Sequence, residues 1–148
     1  LAGQSSNDDE LIDAGLEALS WLIPIHFPNN GHFVPIGCNG FFPNGGDRAR
    51  FDQQPIEANA MIGACLAAYT ITSEPEWHWR AQQAFDWFLG SNDADLPLYD
   101  AATGGCCDGL EPGKINRNQG AESTVAFLMS LLELRLAEQP IELAHNGD

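Results

Sequence analysis

The sequence predicts an all-α chain of antiparallel helical hairpins, and two observations carry that prediction. The chain says nearly the same thing twice, about 65 residues apart. Gln54-Pro55-Ile56-Glu57-Ala58 and Gln119-Gly120-Ala121-Glu122-Ser123 each open a long apolar stretch, each follows a Gly-rich loop, and Trp21-Leu22 matches Trp87-Phe88-Leu89 ahead of those loops. Such a duplication suggests repeated helical hairpins. The second observation is a helical period in four segments, of two kinds.

The first helix, Asp8 to Ile23, sets Glu10, Asp13 and Glu17 on one stripe and Leu11, Ala14, Ala18 and Leu22 on the other. The third, Pro75 to Leu89, sets Trp77, Ala81, Ala84, Phe85 and Phe88 opposite Arg80, Gln83 and Asp86. Both are expected to be half-exposed. The second, Pro55 to Thr72, and the fourth, Gly120 to Glu138, are apolar on nearly every face, the signature of buried helices. Alternation of outer and inner helices is the pattern of an α/α toroid. Four helices cannot close a ring, so the chain is expected either to be part of a larger toroid or to associate with copies of itself.

Thr72-Ser73-Glu74-Pro75 is a tight connection, which makes its flanking helices antiparallel. Alternation then puts both long loops, 31–54 and 90–119, at one end, beside the N-termini of the second and fourth helices. Loops of roughly 25 to 30 residues in a compact domain are usually functional. Length makes the chain one domain, 1–148, and its polar end, Pro140 to Asp148, is expected to fray.

Composition narrows the function classes. A net charge of −15, with six Lys and Arg, repels phosphate backbones and anionic membrane surfaces. Nucleic acid is not an expected partner, and no apolar run is long enough for a transmembrane helix. No signal peptide is visible. Of the four cysteines, Cys65 lies in an apolar helical run and Cys106 and Cys107 are adjacent, a poor arrangement for disulfides. All four are read as thiols in a reducing, cytoplasmic compartment.

Three segments carry a family resemblance. They are Gly31-His32-Phe33 through Gly37-Cys38-Asn39-Gly40-Phe41; Arg50-Phe51-Asp52-Gln53-Gln54-Pro55-Ile56-Glu57-Ala58; and Pro97-Leu98-Tyr99-Asp100 through Gly104-Gly105-Cys106-Cys107-Asp108-Gly109-Leu110, with Asn116-Arg117-Asn118-Gln119-Gly120-Ala121-Glu122-Ser123. Together they resemble the C-terminal portion of a bacterial six-hairpin, glycosidase-like α/α toroid domain of the kind found beside or fused to glycosyltransferases. The resemblance spans roughly residues 11 to 135 and implies carbohydrate handling. That family's domain is longer, and several N-terminal hairpins have no counterpart here.

Glu57 and Glu122 occupy equivalent repeat positions, each three residues after a Gln. As a pair they suit glycoside hydrolysis, which needs two carboxylates about 5 to 10 Å apart. Equally, a carboxylate in a first helical turn satisfies free amides and the helix dipole. Asp52 stands in a loop with Arg50, Phe51, Gln53 and Gln54, a mixture suited to sugar hydroxyls, or else it fixes the loop against Arg48 or Arg50. Asp47, Asp100 and Asp108 read as turn residues, with Asp108 in a stretch open to a ligand. Expected catalytic residues are therefore Asp52, Glu122 and Glu57, and hydroxyl-orienting residues Arg50, Gln53, Gln54, Asp108, Asn116, Arg117 and Gln119.

A soft metal site or a thiol–imidazole pair from Cys106, Cys107, Cys38 and His32 has nothing in the spacing to demand it. No nucleotide-binding fingerprint is present, and no cofactor is expected. The leading reading is a saccharide site at the loop end, with acid and base work at a glycosidic bond. Its rivals are a non-catalytic sugar-recognition domain serving a glycosyltransferase and a helical-repeat scaffold that binds protein.

Overall fold

A computed structural model describes residues 1–138, so the expected fraying of 140–148 lies outside the described residues. The elements run α1 (Ala2–Ser6), α2 (Asp9–His26), a 3-10 turn (Pro28–Asn30), α3 (Pro55–Thr72), α4 (Pro75–Asp86), β1 (Tyr99–Asp100), β2 (Gly105–Cys106), β3 (Gly109–Glu111), β4 (Lys114–Asn116) and α5 (Ala121–Glu138). The four long helices stand where periodicity puts them. The all-α expectation is corrected: β1 pairs with β2 and β3 with β4, both antiparallel, so the fold is mixed and not simply a toroid fragment.

Local chemistry sets the helix boundaries. The Asp8 carboxylate accepts from Leu11 N at 3.2 Å and caps α2. Pro55 and Pro75 occupy first-turn positions of α3 and α4, where a missing N–H is harmless. α3 stops at Ser73, a left-handed residue whose N–H returns to Tyr69 O.

α3 packs on both α4 and α5, and α2 meets α3 more sparsely. The core collects Trp87, Phe88, Phe33, Ile62, Leu98 and Leu110, all fully buried. Phe127 of α5 stacks on Tyr99 of β1 at 4.4 Å between centroids and meets Phe85 and Phe88 at 5.7 and 5.4 Å. That aromatic cluster fastens the first hairpin to the helices.

The inner-helix expectation fails on α5. Its core face is Ser123, Ala126, Phe127, Ser130 and Leu134, while Val125, Leu128, Met129, Leu132 and Leu136 are 47 to 58% exposed. Helices on one side only leave half of an all-apolar helix in water. On α3, Ile62 and Leu66 are buried, but Ile56 is 42% exposed. Arg80, expected on the exposed face of α4, is buried over Phe27 and Trp79, with Glu76 as its i−4 partner.

The two long loops are joined by backbone pairing. Gln53 N donates to Leu110 O and Leu110 N to Gln53 O, each at 2.9 Å, so the first loop adds a residue of strand to the second hairpin. Gly109 makes this approach possible, because a Cβ there would overlap the Gln53 carbonyl oxygen. Pro112 and Gly113, the latter at φ +73°, turn β3 back into β4.

The buried His26 ring stands 3.2 Å from Val34 O and stacks on Phe33. Burial, and to a lesser degree the Arg48 charge, lower its pKa from 6.5 to about 4. The unfolded chain therefore takes up a proton that the folded chain refuses, and stability should fall as pH drops from 6.5 towards 4, by about 3 kcal/mol. Urea melts across that window should show the slope, and His26→Gln should flatten it.

Candidate functional site

The expected composite surface exists as a polar cleft of about 370 Å³ between the N-termini of α3 and α5. Its walls are Asp52 to Pro55 from the first loop, Asp108, Gly109, Glu111 and Asn116 from the second hairpin, and Gly120 to Ser123 from the start of α5. Six of the ten expected site residues meet here: Asp52, Gln53, Gln54, Asp108, Asn116 and Glu122.

They do not act alike. Asp108 is an anchor: its Oδ1 accepts from Gly120 N and from Ser123 Oγ, each at 2.7 Å, and its Oδ2 accepts from Asn118 Nδ2. It caps α5 from another segment of chain, which corrects its reading as a simple turn residue. Burial works to raise its pKa, but the bonds from Asn118, Ser123 and Gly120 outweigh this and hold it below the ordinary carboxylate value. Gly120 allows the cap, since a Cβ there would stand 2.9 Å from Oδ1.

Gln53 is fully buried, and its side chain is wholly engaged. Nε2 donates to Arg50 O at 3.0 Å and Asp93 Oδ2 at 2.7 Å, while Oε1 accepts from Trp87 Nε1 at 3.0 Å. It shapes the cleft floor and has no side-chain group left for a ligand. Gln54 is half-buried, with Nε2 at 3.7 Å from Cys38 Sγ. Asp52 is half-buried, and Glu122 and Asn116 are exposed.

The other four expected residues lie elsewhere. Glu57 departs from its repeat mate: Oε2 accepts from Ile36 N at 2.8 Å, tying the first loop down on α3. Burial raises its pKa, offset by the Ile36 amide and the Arg48 charge. It lines a small apolar groove with Leu19, Leu22 and His26 and is not among the residues that line the cleft beside Glu122. Arg50 grips Asp93 through Nε and Nη2, both at 3.0 Å, on a separate concavity with His32 and Arg48. Arg117 and Gln119 line a third, with Tyr99 and Asp100. Gln119 Nε2 donates to Asp100 Oδ2 at 3.2 Å and its Oε1 accepts from Thr103 at 2.9 Å, bracing the turn after β1.

Asp93 escaped the sequence reading, yet it organises the first loop by accepting from Arg50, Gln53 and His32. Burial would raise its pKa; those three partners bring it down to about 2. The available signal was scarcity: with six Lys and Arg in the chain, each has few competitors for a carboxylate partner. Glu111, paired with Lys114 at 2.7 Å, is a further cleft carboxylate the sequence did not mark.

The thiol alternatives find no support in the geometry. His32 faces Asp93, and the buried Cys106 has its thiol pushed up to about 12, first by burial and then by its neighbours Cys107 and Asp108. Among the described residues no group of three or more His, Cys, Asp or Glu is placed to hold a metal ion. The four cysteines are all free, and no described helix is long and apolar enough to cross a membrane.

No protein-family model matches this chain, and no curated protein matches it.

Asp108→Ala would leave the Gly120 amide and Ser123 hydroxyl without their acceptor. It should lower stability by about 1 to 2 kcal/mol and speed amide exchange in the first turn of α5. Unchanged exchange there would show that the cap contributes nothing.

Proposed function

We propose that the cleft between α3 and α5 binds an uncharged saccharide, as a recognition site that leaves the glycosidic bond intact. The observation that supports this is the division of labour in its walls. Asp108 and Gln53 hold the frame through bonds within the protein, while Asp52, Glu122, Asn116 and Gln54 offer polar groups to the opening. Carboxylates and amides around a preformed concavity suit sugar hydroxyls, which donate as readily as they accept. Asp52, Glu111 and Glu122 disfavour an acidic sugar.

Acid and base work is the weaker reading. A general acid for a glycosidic bond needs a carboxyl kept protonated by burial. Glu122 is exposed and Asp52 half-buried. The two carboxyls that burial does raise are not among the residues lining the cleft: Glu57 faces Ile36, and Glu133 on α5 stands beside Gly63 of α3. A part in a glycosyltransferase system, as the loop motifs suggest, fits recognition without cleavage, and four free thiols suit a reducing, cytoplasmic setting.

Calorimetry against neutral and uronate oligosaccharides provides the test. Neutral chains should bind and uronates should not. Asp52→Asn and Glu122→Gln should each weaken binding by about tenfold, or about 1.4 kcal/mol, with no product released from any sugar. Turnover that disappears in Glu122→Gln would replace recognition by hydrolysis, and the absence of any binding would remove the saccharide.

A further inference from the structure

The concavity that holds Arg117 is larger than the cleft, about 540 Å³ against about 370 Å³, and the two share a wall. Chain neighbours at the root of the β3–β4 hairpin divide between them. Asp108, Asn116 and Gly120 line the cleft, while Cys107, Arg117 and Gln119 line the second concavity. Asp108 N holds this wall together by donating to Asn116 O at 3.1 Å and to Asn118 O at 2.8 Å. Its crest, 116–119, is exposed. Successive residues of an extended segment point to opposite sides, so the segments that close the cleft also close its neighbour.

The second concavity has what a sugar ring requires. Its floor is apolar, with Leu98 fully buried and Ile115 half-buried. One face of the Tyr99 ring is taken by Phe127, at 4.4 Å between centroids, which fixes the ring where it borders the concavity. Arg117 makes no hydrogen bond or ion pair to any described residue, although the chain has 21 Asp and Glu to 6 Lys and Arg. Its charge reaches the Cys107 thiol, where it works against burial, which raises that thiol's pKa, and against Asp100. The Asp100 carboxylate is braced by Ala102 N at 2.9 Å and Gln119 Nε2 at 3.2 Å. An open fork of donors and a fixed acceptor beside an apolar floor match the hydroxyls and the C–H face of one ring. An anionic ligand would meet Asp100 as well as Arg117, in a chain of net charge −15, so a neutral ring is favoured.

We propose that the two concavities are subsites of one surface, which binds a linear neutral oligosaccharide across the 116–119 crest, one end in the cleft and the other on Arg117 and Tyr99. This rests on the saccharide reading of the cleft. A strand pair with its side chains is about 10 Å thick, so a disaccharide fills one subsite at a time and only a longer chain occupies both. Once one end is held, the second contact forms within the complex and adds affinity.

Calorimetry on the full chain tests this with cellobiose, maltose and xylobiose against the corresponding hexasaccharides. In a series that binds, the hexasaccharide should bind about tenfold more tightly than the disaccharide. Arg117→Ala changes an exposed side chain with no partner among the described residues, so circular dichroism should keep the wild-type spectrum while that advantage disappears. Asp52→Asn should weaken both lengths and keep their ratio. The Tyr99 ring signals should shift in NMR spectra when the hexasaccharide is added. Equal affinity for the two lengths, or an Arg117→Ala chain that keeps the advantage, would overturn the shared surface and leave the cleft reading standing. Failure of every sugar to bind would instead remove the saccharide reading itself, and the shared surface with it.

Discussion

The arrangement of both long loops depends on one buried amide. Gln53 joins four segments at once: its backbone pairs with Leu110 of β3, and its side chain binds Arg50 O, Asp93 of the turn after α4 and the indole of Trp87. A fully buried primary amide is tolerable only when its donors and acceptor are satisfied, and each partner is itself buried or fixed. The network is therefore cooperative: Asp93 stays charged because Arg50, Gln53 and His32 face it, and Trp87 enters the core with its N–H satisfied. An apolar side chain of the same size would strand the Trp87 N–H and weaken the hold on Asp93. Gln53→Leu should lower stability by about 2 to 4 kcal/mol, read from the urea midpoint. A loss under about 0.5 kcal/mol would make Gln53 a bystander.

The same network explains how a strongly acidic chain deploys its few cations. Arg48 donates to the carbonyls of Ile25, Val34 and Pro35, Arg50 binds Asp93, Arg80 packs over aromatic rings and Lys114 pairs with Glu111. Arg48, Arg50 and Arg80 hold loops and a helix together. Asp52 and Glu122 are left in the cleft wall with no ion pair to either among the described residues. Their negative field reaches the cleft from both walls.

Periodicity made the four long helices and their starts legible, because Pro55 and Pro75 mark helix starts and Asp8 is a capping residue, but α2 runs three residues past the expected Ile23, α4 stops three short of Leu89, and the short α1 was not expected. The strands were not legible. β1 and β2 are two residues each, β3 and β4 three, and Gly105, Cys106 and Gly109 give neither alternation nor β-branched residues to read. Their pairing is fixed by tertiary contacts: Tyr99 on Phe127, and Leu110 against Gln53. The exposure of α5 was hidden for a related reason. Apolar residues on all faces say that a helix can be buried on every side, and only the placement of α3 and α4 decides which sides are.

The likeness of Glu57 and Glu122 in sequence and their difference in space have one physical cause. Each lies in a first helical turn, where free amides attract a carboxylate. At α5 that demand is met from outside, because the second hairpin delivers Asp108 to Gly120 and Ser123. Glu122 is thereby released to the cleft. At α3 no side chain caps the start of the helix. Instead the first loop folds back so that Ile36 N meets Glu57 at 2.8 Å, and that carboxylate is taken up in holding the loop. A duplicated motif has thus been divided into a structural copy and an open one. The difference arises in the loop ahead of each helix: the 31–54 segment has no hairpin of its own, whereas the 90–119 segment has two and can supply a carboxylate from a fixed strand end. Whatever binds in the cleft meets the copy whose capping role another residue has assumed.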